Sequence, residues 1–139
     1  MGRWNPWAAA RRHAGLTILY GHVPYGATWH RTPKGDVITI DESATRRERR
    51  ALLAHELIHM ERGVGFPYAT LETMAKEEVL VRRETARRLV PLEELAEFVV
   101  RRASVEQVTP DVVAEEFDVP PKVASDALAQ LPRRPTPLT

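Results

Sequence analysis

Cysteine is absent from the 139 residues. That excludes a disulfide framework and thiolate ligands, so a bound metal would have to be held by histidine and carboxylate. An excess of charge of either sign is absent too. The formal net charge is +1, which gives no reason to expect nucleic acid as a general partner. No apolar run reaches membrane-spanning length, and the N-terminus, despite Trp4 and Trp7, lacks the continuous apolar segment of a signal peptide. The expectation is a cytoplasmic protein with no membrane partner. What remains, 43% hydrophobic and 28% charged residues, is the composition of a soluble globular domain with one modest core.

A local absence says more. Neither proline nor glycine occurs from Glu42 to Arg62, so nothing interrupts a helix there. Thr45 followed by Glu48 reads as a capping box at its start, and Gly63 supplies the stop. Within the stretch lies His55-Glu56-Leu57-Ile58-His59, an H-E-x-x-H pattern. On a helix, positions four apart share a face, so both imidazoles can meet one metal ion. Glu56 projects nearby and can take a proton from a metal-bound water. The bland alternative is a helix that carries two histidines by chance. It fits less well with a motif set mid-helix among apolar residues, in a chain with only five histidines.

Upstream, Asn5 and Pro6 suit the start of a short helix that Gly15 ends. Leu16 to Tyr20 reads as a strand. Ala27 to Arg31 and Asp36 to Asp41 flank Thr32-Pro33-Lys34-Gly35, which is good hairpin chemistry. Alternation places Val37 and Thr39 on one face of the last strand, Ile38 and Ile40 on the other. The expected sheet is small and antiparallel and lies against the motif helix. Its exposed edge would let a peptide add itself as a further strand. The basic groups Arg46, Arg47, Arg49, Arg50 and Arg82, Arg83, Arg87, Arg88 are diluted by acids and are expected on solvated helix faces.

Two histidines do not make a stable zinc site; a third protein ligand is needed, with one position left for water. After Gly63-Val64-Gly65-Phe66-Pro67 a second helix is expected from about Tyr68 to Val90, antiparallel to the first. Glu72, Glu77, Glu78 and Glu84 are its carboxylates. Periodicity turns Leu71, Ala75, Val79, Ala86 and Leu89 toward the core. Glu78 lies at the edge of that stripe, Glu77 is its closest competitor, and spacing alone does not choose between them.

Taken together, the hairpin ending in Val37-Ile38-Thr39-Ile40-Asp41, the lead Arg46-Arg47-Glu48-Arg49-Arg50, Leu53-Ala54-His55-Glu56-Leu57-Ile58-His59, and the run Ala86-Arg87-Arg88-Leu89-Val90-Pro91 resemble the ImmA/IrrE family of zincin-like metallopeptidases, associated with phage immunity, mobile elements and stress-response regulation. The resemblance covers roughly residues 16 to 131. It implies an α+β, zincin-like fold: a small sheet packed on the H-E-x-x-H helix and a glutamate helix, with C-terminal helices. It implies that the metal-binding glutamate sits thirteen positions before Pro91, which is Glu78. It further implies a protein substrate, such as a repressor or other regulator. Val81-Arg82-Arg83-Glu84 departs from the pattern common there, Ala-Asn followed by an aromatic residue and Ala, and Ile58 stands where glycine often precedes the second histidine.

On this reading His55, His59 and Glu78 hold Zn²⁺, and Glu56 is the general base of peptide hydrolysis. Asp41 is a candidate partner for an imidazole Nδ1, and Tyr25, His30 and Tyr68 are candidate oxyanion or substrate contacts. Residues 1–103 form the metallopeptidase domain. Residues 104–131 form a helical extension resembling a helix-turn-helix, and residues 132–139 a loose tail. Lys122, Ser125, Asp126 and Gln130 make a poor basic surface, so packing or partner recognition is expected there ahead of DNA binding. The alternative function is a non-proteolytic regulatory module that binds a protein partner or DNA around a structural zinc.

Overall fold

The computed structural model describes residues 3–64 and 70–132. The order of elements is α1 (Pro6–Arg11), β1 (Leu16–Gly21), β2 (Ala27–Thr32), β3 (Gly35–Asp41), α2 (Arg46–Arg62), α3 (Leu71–Leu89), α4 (Leu92–Ala103), α5 (Pro110–Phe117) and α6 (Pro121–Leu128). This is an α+β fold in which a three-stranded sheet packs against helices.

The sheet corrects one expectation. Its order is β1-β3-β2, with β2 antiparallel to β3 but β1 parallel to it, so the sheet is mixed rather than antiparallel. The physical reason is the loop 22–26. Gly21 pairs with Asp41 and Ala27 with Ile40, so the loop crosses the carboxyl end of β3 and leaves a gap between β1 and β2. The hairpin then returns β3 into that gap, where Ile18 aligns with Ile38 and Trp29 with Ile38 from the other side. Alternation works as expected on β3: Ile38 and Ile40 are fully buried, while Val37 and Thr39 are only partly covered.

Helix α2 is the hub. Thr45 and Glu48 form both halves of the capping box, and Gly63 ends the helix in the left-handed conformation at φ 67°. A cap of this kind contributes about 1 kcal/mol. One side of α2 gives Leu53, Leu57 and Met60 to the apolar cluster under the sheet, together with Ala10, Ile38 and Ile40. Another gives Ala51 and Ala54 to a second cluster built with Leu89, Val90, Leu95, Phe98, Val113, Phe117 and Val119. The remaining face carries Glu48, Leu52, His55, Glu56 and His59 and lines a cleft.

Helix α3 begins at Leu71, capped by Thr70, and not at Tyr68. Its buried face also differs from the expected stripe. Leu71 and Val79 are exposed, and Glu77, Val81, Thr85, Ala86 and Leu89 are buried. Counting apolar residues misplaces the face because two polar ones are satisfied inside. Glu77 pairs with Arg62, and the Thr85 hydroxyl donates to the Val81 carbonyl at 2.7 Å, which removes the penalty for burying them.

Several of the arginines expected on solvated faces tie the helices together instead, while Arg83 and Arg87 are exposed. Arg46 and Arg47 bond Asp118 at 2.9 and 3.1 Å. Arg50 donates to the carbonyls of Phe117 and Asp118. Asp118 caps α5 at φ 56°, so these bonds fasten the α5–α6 turn to the start of α2. Arg88 meanwhile joins Glu61 of α2 to Glu84 of its own helix.

Candidate metal centre

His55 and His59 stand one turn apart on α2, and Glu78 faces them from the middle of α3. The His55 Nε2 lies 2.7 Å from Glu78 Oε1, and the His59 Nε2 lies 2.9 Å from Glu78 Oε2. The two Nε2 atoms are 3.2 Å apart. Three donor atoms thus converge from two helices, and among the described residues these three side chains could hold a metal ion.

The donor set can be tested against an ion. A tetrahedral centre with bonds of about 2.0–2.1 Å keeps its donors about 3.3 Å apart. The two imidazole nitrogens, 3.2 Å apart, match that edge length, and each has a Glu78 oxygen within 2.7 or 2.9 Å. Two nitrogens and one carboxylate oxygen are also a set that zinc accepts. The residues fit.

Electrostatics separate the carboxylates. Hydrogen bonds from His55 and then His59 hold Glu78 far below the usual carboxylate range, which keeps it ionised as a ligand must be. Burial acts against charge on His59, but its bond to Glu78 and the nearby acids outweigh that and raise its pKa. Burial pushes the Glu56 carboxyl up, with the two imidazoles opposing and Glu78 adding to the rise. A carboxyl raised in this way is suited to exchanging a proton. Glu77 is different: Arg62 grips both its oxygens, with Nη2 donating to Oε2 at 3.0 Å, and lowers its pKa. Its position is structural.

The cleft above the cluster has a volume of about 720 Å³. One wall is the loop from Pro24 to Ala27, the floor is α2, and the opposite wall combines Glu78, Arg82 and Thr85 of α3 with Lys122, Val123 and Asp126 of α6. Gly26 is required where that loop meets α2. It has φ 101°, and a Cβ there would lie 2.6 Å from a Leu52 methyl.

Other candidates fall in different places. Tyr25 lines the cleft but is 95% exposed. His30 sits exposed on β2, away from the cleft lining. Tyr68 lies outside the described residues. Asp41 lines the cleft, yet its carboxylate accepts from the Ser43 hydroxyl at 2.7 Å and from the Val23 N–H rather than from an imidazole. Sequence reasoning did not single out Arg82, Lys122 or Asp126 as cleft residues. Arg82 could have been found, since it lies one turn beyond Glu78 on the same face. The α6 residues carry no local signal, because only tertiary packing brings them to α3.

A sheet on a central helix, a three-residue His-His-Glu cluster shared with a second helix, and a raised carboxyl beside it define a domain built around side chains able to hold a metal ion. The chain belongs to the IrrE N-terminal-like domain family of peptidases (Peptidase M78), whose model matches residues 11–128. No curated protein matches it. No helix among the described residues is long and apolar enough to cross a membrane.

Proposed function

We propose that the chain is a zincin-like, zinc-dependent endopeptidase acting on a regulatory protein such as a repressor. The observation that carries this reading is the convergence of His55, His59 and Glu78 within 4.8 Å of one another, with Glu56 next to His55 on the same helix. His55, His59 and Glu78 would hold Zn²⁺, which when bound supplies Lewis acidity that polarises a carbonyl and acidifies water. Glu56 accepts the proton of the attacking water as its oxygen bonds to the scissile carbon. The same carboxyl returns that proton to the amine as the C–N bond breaks. Because α2 fixes Glu56 relative to both imidazoles, the base needs no ordering during the reaction. Ala27, the first residue of edge strand β2, lines the cleft, so an extended peptide added to that edge would run toward the cluster.

The cleft favours chemistry over a structural zinc. A folding staple closes its shell with four protein ligands and has no use for a base, whereas the cluster offers three donors among the described residues. DNA reading by α6 fits poorly, since Asp126 and Val123 face the cleft and Asp126 is bonded to Arg82.

The test separates metal from catalysis. Wild-type protein should hold one equivalent of zinc by elemental analysis, and Glu56→Gln should hold the same. Cleavage of a protein substrate should fall by about 10²–10⁴-fold in that variant. Full cleavage by Glu56→Gln would remove the assigned base.

A further inference from the structure

An oxyanion forms when water adds to the scissile carbonyl; among the described candidates His30 lies away from the cleft lining, and Tyr25 lines the cleft but is 95% exposed. A tethered donor in the same cleft is Arg82. It lies four residues beyond Glu78 on α3, about 6 Å along the helix axis, and lines the same cleft as His55, Glu56 and His59. Its side chain is 42% exposed, so a bound peptide can reach it.

The guanidinium is held but not saturated. Nη2 donates to Asp126 Oδ1 of α6 at 2.9 Å, and Nε, buried, has no partner. Two neighbouring arginines of this helix pair are committed elsewhere: Arg62 grips both oxygens of Glu77, and Arg88 bonds Glu61 and Glu84. A guanidinium carries five N–H donors in a rigid fork. One Asp126 contact therefore fixes Arg82's orientation while leaving donors for an anion. Lys122, which also lines the cleft, is exposed and has no such tether among the described residues.

We infer that Arg82 is the oxyanion donor of this site and that Asp126 is its positioning residue. This rests on the peptidase reading above. As the water oxygen bonds to the scissile carbon, the carbonyl π pair moves to oxygen and Arg82 donates N–H to it. Glu56 holds the water's proton. When the C–N bond breaks, the pair returns to re-form the carbonyl and the amine leaves with that proton. Charge that appears only in the transition state then meets a donor already in place, which is where a hydrogen bond accelerates most. The helical extension thereby contributes to the site: α6 aims the donor.

The experiment uses two probes on the zinc-loaded full chain. Acetohydroxamate reports the metal alone, and an N-phosphoryl-leucyl dipeptide presents a tetrahedral anion in place of the reacting carbonyl. Binding of each is measured by calorimetry, with zinc content determined in parallel. Arg82→Met should keep zinc and acetohydroxamate affinity while losing affinity for the phosphoryl dipeptide on the order of 100-fold. Asp126→Asn should lose a smaller part of it. Should Arg82→Met fail to fold, Arg82→Lys decides, because it keeps the charge but not the fork and should show the same selective loss, smaller in size. Phosphoryl dipeptide affinity unchanged in the Arg82 variants, or lost in Lys122→Ala instead, overturns the assignment. Wild-type protein that holds zinc and binds acetohydroxamate but not the phosphoryl dipeptide also overturns it, and leaves the metal site standing. Wild-type protein that binds neither probe overturns the peptidase reading, and this assignment with it.

Discussion

Glu77 and Glu78 are the same residue type one position apart on α3, and they open onto different regions of the molecule. Glu77 turns into the seam between α3 and the end of α2, where it is buried and both oxygens meet Arg62. Glu78 turns into the cleft, half exposed, with one oxygen on each imidazole. A rotation of one residue along a helix, about 100°, separates a carboxylate paired in the seam from one that faces the imidazoles. What decides the role is the partner each finds: a permanent cation in one case, two titratable donors in the other.

The comparison breaks most sharply by deleting each carboxylate in turn. Glu78→Ala should reduce zinc affinity by more than the roughly 10–100-fold that loss of an indirect support costs, because a direct ligand is gone. Glu77→Ala should leave the metal bound and lower Tm by about 3–6 °C, since it leaves the seam without its pair. Competition with a chromophoric chelator and a thermal melt on each variant check both halves. If Glu77→Ala strips the metal while Glu78→Ala keeps it, the two roles are reversed.

The pH dependence of the metal-free protein sharpens the same contrast. Glu78 has a folded pKa below its ordinary 4.5. Its contribution is therefore present above 4.5 and is lost as pH falls from there through the folded value. His59 has a folded pKa above its ordinary 6.5, so its contribution is full below 6.5 and is lost as pH rises through the folded value. Together the cluster should favour the metal-free protein most between about 4.5 and 6.5. Zinc should invert the upper limb. Bound metal needs neutral imidazoles, so the stabilisation it adds grows as pH rises through the histidine range. Denaturant midpoints with and without zinc across pH 4 to 8 test this. Parallel curves for the two forms would rule it out.

How much of this was legible in the sequence follows from the range of the interactions. Helix α2 is written locally: a capping box, an uninterrupted stretch and a left-handed glycine lie within twenty or so residues, and the pairing of His55 with His59 needs nothing more than helical spacing. The hairpin turn is equally local, with the Thr32 hydroxyl bonding Gly35 O and Lys34 N. The parallel pairing of β1 is not, because strand order depends on where the loop 22–26 crosses. That Glu78 and not Glu77 faces the imidazoles depends on Arg62 claiming Glu77. The α6 wall of the cleft required knowing that Arg46, Arg47 and Arg50 would fasten the Asp118 turn against α2.

The smallest expected effect tests the face of α3 itself. Apolar periodicity puts Val79 in the core, but it is 48% exposed, while Val81 is fully buried. Val79→Ala should change stability by no more than about 0.5 kcal/mol, and Val81→Ala should cost about 2 kcal/mol through lost burial and an unfilled space. The pair is informative because both valines follow the glutamates within about one turn. If Val79 proved the costly one, α3 would be rotated relative to α2, Glu77 would turn toward the imidazoles, and the division of labour between the two carboxylates would fall with it. Urea melts of the two variants, with zinc content measured alongside, therefore read the helix register and the ligand assignment in one experiment.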